Sequence, residues 1–274
     1  MSSLASLLSS VRRPFAKKTS APSDVRCPVC AEPAIPLASV DFNKSCEEAR
    51  GLRLPPSSVA IRYCLCDGCG FCFAPEFSAW TFLDFEQRIY NADYEKVDPD
   101  YKLVRPTANA NMLAGLFAAA KIRHLDYGGG SGMLSKQLCE KGWDSQTYDP
   151  YVDRTVDVRG LGPFDLVTAF EVFEHVPDVN VLFDDLQTLV KADGVFMFST
   201  LLSDGEIGRQ RPLTWWYASP RNGHISLFSA QSLRLCLNRR GFNFASASAN
   251  LHLAHRTVPP WAAHLLGGAP PAST

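Results

Sequence analysis

The sequence predicts an α/β protein with a doubly wound sheet, preceded by a small cysteine-rich module. Strands and helices alternate from residue 121 onward, and a glycine-rich turn joins the first of these strands to the first helix. Strands separated by helices at this spacing favour a mostly parallel sheet that is covered on both faces. Paired cysteines over residues 25–78 set the small module apart from the sheet.

The glycine-rich turn spans residues 126–132 between a short apolar stretch and a helical pattern. It begins with Asp126 and has glycines at alternate positions, Gly128, Gly130 and Gly132. Glycines let the backbone turn sharply and let a ligand approach where a Cβ would otherwise stand. An acid before the turn can accept a hydrogen bond from a ligand's amine or hydroxyl. The turn therefore predicts a site for a nucleoside cofactor.

The remaining elements follow from hydrophobic periodicity and turn residues. Residues 79–120 are expected to be mainly helical and to precede the sheet. The helices of the sheet region are expected at 132–142, 179–191 and 230–240. The strands are expected at 122–127, 144–148, 164–170, 194–200, 242–247 and 249–256.

The glycine spacing bears on which cofactor is bound. A dinucleotide fingerprint would need a third glycine at position 133, which is Met133. Asp149 ends the second strand, where a carboxylate can accept hydrogen bonds from two ribose hydroxyls; it also fits a solvated turn before Pro150. Since nicotinamide enzymes use such an acid too, nicotinamide-dependent redox chemistry stays as a second hypothesis.

Two further stretches carry a family resemblance. Residues 164–178, FDLVTAFEVFEHVPD, and residues 223–229, GHISLFS, follow the glycine turn in order. Together these blocks resemble the class I S-adenosylmethionine-dependent methyltransferases, the ubiquinone-pathway O-methyltransferases in particular, over residues 121–256. The resemblance implies a Rossmann-like, seven-stranded sheet and S-adenosylmethionine as cofactor. It also implies cofactor contacts from Asp126, the three alternate glycines and Asp149.

The same resemblance assigns roles around the cofactor. It places Phe170 near the adenine or methionine part, and it turns Glu171, Glu174 and His175 toward the mouth of the active site. His175 and His224 are the candidate bases, because a neutral imidazole accepts a proton near pH 7. The glutamates could orient the base or hold a divalent cation. Alternatively, the histidines are structural and the glutamates cap the next helix or are solvated.

Two flanking segments complete the predicted site. Arg105, before the sheet, is a candidate partner for the methionine carboxylate of the cofactor. The loop 205–222 combines aromatic side chains, which stack on rings, with arginines, which bind phosphate. A nucleotide sugar would use both, whereas the alternative is a hydrophobic lid or a homodimer contact. The loop residues concerned are Arg209, Arg211, Trp215, Trp216, Tyr217 and Arg221.

The cysteine-rich module predicts a structural zinc site. Cys27 and Cys30 form one CxxC pair, and Cys66 and Cys69 form another. Two such pairs can close a tetrahedral site of four thiolates, and clustered pairs are more typical of metal binding than of disulfides here. A rival register, in which Cys72 replaces Cys66, stays open because Cys69 and Cys72 are also spaced as CxxC.

Composition limits the partners and the organisation. The 274 residues carry a formal net charge of −1, which does not supply the basic surface that a polyanion requires, so we expect no nucleic acid partner. No apolar run approaches the roughly 18–20 residues that span a bilayer, and we expect a cytoplasmic protein. The expected parts are a flexible N-terminus (1–24) or targeting signal, a zinc-ribbon-like module (25–78), a helical pre-core or lid segment (79–120), a methyltransferase core (121–258) and an irregular tail (259–274).

The leading hypothesis for function is methyl transfer from S-adenosylmethionine to oxygen or carbon of a small molecule or glycan precursor. A zinc ribbon ahead of a class I core resembles bacterial methyltransferases of sugar and cell-surface glycan biosynthesis. Ribosomal RNA and quinol or catechol acceptors are the alternatives among enzymes. A zinc-ribbon interaction protein with a degenerate core is the alternative outside enzymes.

Overall fold

The structure, a computed structural model, describes residues 25–117 and 121–266. The predicted flexible N-terminus (1–24) and residues 267–274 of the predicted tail lie outside the described residues. Within the described ranges no helix combines the length and the apolar character needed to cross a membrane.

Ten strands and five α-helices make up the described fold. The strands are β1 (Ala34–Asp41), β2 (Ala60–Cys66), β3 (Cys72–Phe73), β4 (Arg123–Tyr127), β5 (Asp144–Tyr148), β6 (Phe164–Phe170), β7 (Val190–Ser199), β8 (Ser226–Leu227), β9 (Asn243–Ser246) and β10 (Leu251–His255). The helices are α1 (Phe82–Arg88), α2 (Val104–Leu116), α3 (Met133–Glu140), α4 (Val179–Leu189) and α5 (Ala230–Asn238).

The main sheet is mixed and follows the order β5-β4-β6-β7-β10-β9. The first four strands are parallel to their neighbours, and β10 is antiparallel to both β7 and β9. The chain leaves β4 toward β5 through α3 and returns to β6 on the other side of β4. This reversal makes a crevice at the carboxyl ends of β4 and β6, which is where ligands bind in open α/β sheets.

The expected count of seven strands is wrong for the described part of the chain, whose main sheet has six. Between β5 and β6 the backbone forms only a 3₁₀ turn, Val158–Gly160. Asp157 caps this turn by accepting a hydrogen bond from the backbone N–H of Arg159 at 3.1 Å. Proline and glycine interrupt residues 150–163 and leave no apolar run long enough for a central strand.

The helices that cover the sheet follow from spacing and capping. α4 buries five apolar residues spaced three or four apart, which is one face of a helix: Val179, Leu182, Phe183, Leu186 and Leu189. The side chain of Asp178 caps α4 by accepting hydrogen bonds from its first turn. Ser229 and Ser232 cap α5 reciprocally, each side chain accepting a hydrogen bond from the other's backbone N–H.

A second, antiparallel sheet joins the cysteine-rich module to the core. Its order is β1-β2-β3-β8, and β8 belongs to the segment 223–229 of the core. Tyr63 on β2 donates a hydrogen bond to the carbonyl of His224 at 2.6 Å. The Ser229 hydroxyl donates to the carbonyl of Cys69 at 2.5 Å. The module is therefore packed onto the segment that carries a predicted catalytic histidine.

A polar chain runs across three strands inside the main sheet. The imidazole of His124 on β4 lies 2.7 Å from Ser145 Oγ and 2.9 Å from Thr168 Oγ1. Thr168 in turn donates to Asp126 Oδ1 at 2.9 Å. Since the single hydroxyl proton of Thr168 is used on Asp126, His124 donates from Nε2 and accepts from Ser145 at Nδ1. The chain of hydrogen bonds fixes Asp126 at the carboxyl end of β4.

The buried imidazole of His124 predicts a pH-dependent stability. Burial lowers the pKa of His124 to about 3, below the value near 6.5 of an unfolded chain. Below pH ~6.5 the unfolded chain therefore binds the extra proton, and the wild type loses about 1.4 kcal/mol per pH unit relative to His124→Gln. At neutral pH we expect the variant to be about 1–3 kcal/mol less stable, because buried partners lose their hydrogen bonds.

Urea unfolding between about pH 7.5 and about pH 5 measures this difference. Burial raises the pKa of Asp126 to about 7, so Asp126 makes the folded protein more stable as the pH falls, which is the opposite sign. This contribution is the same in the wild type and in His124→Gln. The difference in free energy of unfolding between the wild type and the less stable variant should narrow as the pH falls. A deficit that stays constant over this range contradicts a neutral, buried His124.

Candidate active site

The glycine turn after β4 adopts conformations that side chains disfavour. Gly128, Gly130 and Gly132 have φ angles of +73°, +55° and +76°. A Cβ on Gly128 would lie 2.5 Å from Val172 Cγ2, so the turn packs directly against the segment after β6. At Gly130 a Cβ would meet no atom within 4 Å among the described residues, so this glycine faces open space.

Gly129 is a position of close packing that the sequence analysis did not single out. A Cβ there would overlap the carboxyl oxygen Oδ2 of Asp126 and would lie 2.8 Å from Thr147 Cγ2. The signal in the sequence is the acid three residues earlier, whose side chain needs the space. The turn is thus built from consecutive glycines for two reasons, backbone conformation and close approach.

Two carboxyl groups flank the turn. Asp126 is buried, which raises the pKa of its carboxyl group to about 7 against the opposing effect of the Thr168 hydrogen bond. Asp149, at the end of β5, accepts a hydrogen bond from the Gly130 N–H at 2.8 Å and another from the Tyr151 N–H at 2.8 Å. Both predicted cofactor acids therefore lie at the turn, and Asp149 is oriented by it.

The segment after β6 begins with a strained residue. Phe170 ends the strand half-buried, and Glu171 has φ +55°, a left-handed conformation that is costly for a side chain of this size. Ser199 at the end of β7 holds it there. Its hydroxyl accepts from the Glu171 N–H at 2.8 Å and donates to the Glu171 carboxylate at 2.7 Å. The carboxylate of Glu171 therefore has a fixed direction.

Glu174 is fully buried, with 0% of its surface exposed. Among the residues that the structure describes, neither of its carboxyl oxygens has a hydrogen-bond partner within 3.5 Å. Burial and, next, the charge of Glu171 raise the pKa of Glu174 to about 8, while the nearby hydroxyls of Tyr217 and Thr200 oppose the rise. A buried acid without partners is costly, and such groups are more frequent at functional sites than elsewhere.

The two predicted histidines lie together beside Glu174. The ring centroids of His175 and His224 are 4.8 Å apart, and His175 Nε2 is 3.8 Å from Glu174 Oε1. His224 Nδ1 lies 2.9 Å from the carbonyl of Tyr217, so Nδ1 donates and the lone pair is on Nε2. Burial and then Arg105 lower the pKa of His175 to about 3, and burial lowers the pKa of His224 well below its usual value.

Gly223 makes room for this cluster and was also missed by the sequence analysis. Its φ is +90°, and a Cβ there would lie 3.0 Å from His175 Nδ1 and 3.2 Å from Tyr90 Oη. Tyr90 Oη itself lies 3.2 Å from His175 Nδ1. The glycine before His224 in the sequence is the only signal that could have indicated this position.

A cavity of about 290 Å³ opens beside the histidines. It has both charged and aromatic walls, and Trp216 is 42% exposed there. Arg105 lines it but does not stand free, because its guanidinium makes hydrogen bonds of 2.7 and 2.6 Å to the two carboxyl oxygens of Asp98. Its walls include Asp98, Arg105, Glu171, His175, Trp216 and His224.

The aromatic loop divides between core and cavity. Trp215 and Tyr217 are buried, so only Trp216 of the three presents a large exposed face. Arg221 is buried as well and donates to the carbonyl of Ile89 at 2.9 Å. Arg209 pairs with Asp67 in the module. These two arginines are engaged within the chain.

Four of the paired cysteines come together. Their sulfur atoms all lie within 4.8 Å of one another, with Cys27 and Cys69 3.6 Å apart and Cys30 and Cys66 3.3 Å apart. Sulfur ligands of a tetrahedral zinc ion lie about 3.8 Å apart, so the donor set fits zinc. Cys72, in contrast, is buried on β3 within a separate apolar cluster.

Both cysteine turns have the same backbone form. Gly70, after the second pair, has φ +72°, as the glycine in that position predicts. Ala31, after the first pair, has φ +65° although it carries a Cβ. In each turn this residue's N–H bonds to the carbonyl of the first cysteine, at 2.9 Å for Cys27 and 2.8 Å for Cys66. The absence of a glycine therefore did not prevent the turn.

Comparison with known families decides the class of this protein. The family described as a methyltransferase domain matches residues 101–247, more than half of the chain. The chain belongs to this methyltransferase family. The predictions of a class I, S-adenosylmethionine-dependent methyltransferase and of its α/β fold are confirmed, and the nicotinamide hypothesis is wrong.

Curated relatives match the methyltransferase over part of their length. A ubiquinone biosynthesis O-methyltransferase from Paraburkholderia phymatum is 30% identical over 102 residues, which cover 29% of this chain and 44% of the relative. Its counterpart in Paramagnetospirillum magneticum is 29% identical over 140 residues, covering 43% and 50%. The chain thus spans about half the length of the curated relatives it matches.

Among solved structures, an O-methyltransferase family protein from Burkholderia thailandensis is similar, with a TM-score of 0.47 and 14% identity over 64% of this chain and 63% of that one. Human N-acetylserotonin methyltransferase in complex with S-adenosylmethionine gives a TM-score of 0.44 and 15% identity over 66% and 64%.

The glycine turn yields a prediction with a matched control. Gly130→Ala and Gly142→Ala both place a Cβ at positive φ, +55° and +87°, where no described atom lies within 4 Å. Each should therefore cost a similar ~1–2 kcal/mol of stability. Only Gly130 lies in the turn and donates its N–H to Asp149. We expect Gly130→Ala to weaken S-adenosylhomocysteine binding about tenfold or more, as measured by calorimetry.

Gly142→Ala should keep the wild-type affinity within about twofold, because it lies at the far end of α3. Equal affinity in the two variants would show that the turn does not contact the cofactor. An equal loss of S-adenosylhomocysteine affinity in both variants would show that lower stability, and not the turn itself, weakens binding.

Proposed function

We propose that this protein transfers a methyl group from S-adenosylmethionine to a hydroxyl oxygen of a small acceptor bound in the cavity. One observation carries the proposal. The glycine turn and the cavity meet at residues 170–175, because Val172 packs on Gly128 while Glu171 and His175 line the cavity. The turn that is proposed to bind the cofactor and the groups that are proposed for acid–base chemistry are therefore neighbours.

The residues present fit S-adenosylmethionine. When bound, this cofactor supplies a methyl group that is activated by attachment to a sulfonium. The turn 128–132 offers backbone without side chains, and Asp149 offers a carboxylate fixed by the Gly130 N–H. Thr147 Oγ1 is buried beside the turn and has no hydrogen-bond partner in the described parts of the chain. Asp126 and Phe170 are proposed as further contacts. The predicted contact from Arg105 would require its guanidinium to leave Asp98.

The acceptor is proposed to be a small hydroxyl compound of quinol or catechol type. A cavity of about 290 Å³ lies near the lower limit for small-molecule sites and suits a compact ring. The exposed Trp216 offers a stacking face. The curated relatives named above are O-methyltransferases of ubiquinone biosynthesis. A nucleotide sugar is disfavoured because Arg209 and Arg221 are engaged within the chain.

The acceptor proton is proposed to leave at the cluster of Glu174, His175 and His224. An oxygen nucleophile must lose its proton as it attacks, and groups held at hydrogen-bond reach supply this function. His224 presents Nε2 as its basic nitrogen because Nδ1 donates to the carbonyl of Tyr217. Glu171, fixed by Ser199, lines the entrance to the same cluster.

A panel of acceptors with methyl-labelled S-adenosylmethionine tests the proposed function. Catechols and hydroquinones, phenolic acids and nucleotide sugars form the panel, and label is followed into product. We expect label on the oxygen of a small ring acceptor. His224→Gln should lower kcat by about 10²–10⁴-fold with S-adenosylhomocysteine affinity unchanged, because it removes the proton-accepting group.

His264→Gln is the matched control, since His264 is exposed and bonds only to the carbonyl of Leu116 among the described residues. It should retain wild-type turnover. Label on a nucleotide sugar, or wild-type kcat in His224→Gln, contradicts the proposal.

We also propose that Cys27, Cys30, Cys66 and Cys69 bind one structural zinc ion. All four ligands come from the protein, which leaves no open position for a substrate. The turns are docked on the core: Asn180 Nδ2 donates to the carbonyl of Pro28 at 3.0 Å, and Gln231 Nε2 donates to that of Gly68 at 3.0 Å. The zinc would fasten the module against α4 and α5.

Metal analysis of protein purified without chelators tests the zinc site. We expect one zinc per wild-type chain and per Cys72→Ala chain, because Cys72 lies outside the four-thiol cluster. Cys66→Ser should lose zinc and melt at a lower temperature. Loss of zinc in Cys72→Ala with retention in Cys66→Ser would establish the rival register instead.

A further inference from the structure

A half-buried lysine of the cysteine-rich module reaches the wall of the cavity. Lys44 Nζ donates hydrogen bonds of 2.6 Å to the carbonyl oxygens of both Trp215 and Ala218. Hydrogen bonds from a charged donor are short and about twice as strong as those between neutral groups. Burial lowers the pKa of Lys44, and the charge of Glu48 opposes this shift. The ammonium is therefore held by the backbone of the aromatic loop.

The two carbonyls flank the part of the aromatic loop that faces the cavity. Trp216 and Tyr217 lie between them in the chain, and both line the cavity. The exposed face of Trp216 is the proposed stacking surface for the acceptor. The carbonyl of Tyr217 accepts the hydrogen bond from His224 Nδ1 at 2.9 Å. Lys44 therefore fixes the backbone that presents both the stacking surface and the proposed base.

Two more hydrogen bonds join the same short stretch of the module to this loop. The Arg221 N–H donates to the carbonyl of Lys44 at 3.1 Å, and the Cys46 N–H donates to Asn222 Oδ1 at 2.8 Å. The 3₁₀ turn Cys46–Arg50 then contributes side chains to the cavity wall. The module thus takes part in the cavity directly and also through Lys44.

We propose that Lys44 is a positioning residue that holds Trp216 and His224 at the cavity, so that the cysteine-rich module sets the affinity for the acceptor. This inference rests on the proposed function and extends it to a part of the chain outside the methyltransferase match at residues 101–247. Lys44 acts on the acceptor through two carbonyl oxygens of the loop. The glycine turn has different partners, Asp149 and Val172, and should keep its place without Lys44.

The variant Lys44→Met keeps a long apolar side chain and removes the ammonium. Hydrogen–deuterium exchange with mass spectrometry reports on the loop without any acceptor present. We expect peptides that cover residues 213–224 to exchange faster in the variant than in the wild type, because local opening follows the loss of local contacts. Peptides that cover the glycine turn, residues 126–132, should exchange at the wild-type rate.

Steady-state kinetics with catechol and hydroquinone measure the consequence for the acceptor. In Lys44→Met the KM for the acceptor should rise about tenfold, because hydrogen bonds from a charged group no longer hold the binding surface. The affinity for S-adenosylhomocysteine, measured by calorimetry, should equal that of the wild type. A lysine with a purely structural role would lower the stability and the active fraction but would leave this KM unchanged.

Lys191→Met is the matched control. Lys191 Nζ also donates to a protein oxygen, Asp165 Oδ1, at 2.8 Å. This pair lies near the first residues of β6 and β7, at the end of the parallel strands opposite to the site. The control should keep the wild-type exchange at residues 213–224 and the wild-type KM.

The outcomes separate this inference from the proposed function. Wild-type exchange at residues 213–224 in Lys44→Met overturns the inference whether or not methyl transfer is detected. An unchanged KM for the acceptor, or a loss of S-adenosylhomocysteine binding, also overturns it, since Lys44 would then serve only the fold. Faster exchange at residues 213–224, in a protein whose wild type methylates no acceptor of the panel above, upholds the hold of Lys44 on the loop and overturns the proposed function.

Discussion

Two backbone hydrogen bonds of Ile225 join the parts on which the site depends. The N–H of Ile225 donates to the carbonyl of Glu174 at 2.8 Å, and the carbonyl of Ile225 accepts from Ala74 at 2.9 Å. The first bond ties the segment after β6 to the segment 223–229, and the second ties the latter to the cysteine-rich module. The two histidines are neighbours because of this connection.

The same segment explains how a structural module serves the active site. β8 completes the small sheet, while His224, two residues earlier, turns into the cavity. Tyr63 from β2 holds the carbonyl of His224, and the Cys69 carbonyl holds Ser229 at the other end. If zinc fixes the cysteine turns, it also stabilises the position of the segment 223–229 without contacting Glu174, His175 or His224.

Backbone strain and an unpartnered buried acid occur together at the site. Glu171 takes a left-handed conformation, Glu174 is a buried acid without partners in the described structure, and the glycine turn accepts positive φ at alternate positions. The hydrogen-bond chain through His124 that supports Asp126 is, in contrast, fully paired. Strain and an unpartnered acid at a site are expected where folding stability is exchanged for ligand binding.

The sequence by itself determined the class of fold, the glycine turn with Asp126 and Asp149, and the two cysteine pairs, because these depend on local spacing and backbone conformation. It did not determine the six-strand sheet, since a family pattern implied a strand that residues 150–163 cannot form. Only the tertiary structure shows that a side chain at position 129 would overlap Asp126. Only the tertiary structure shows that a side chain at position 223 would crowd His175. It also brought His224 across some fifty residues of chain to Glu174, because contacts between distant segments follow from packing and not from local spacing.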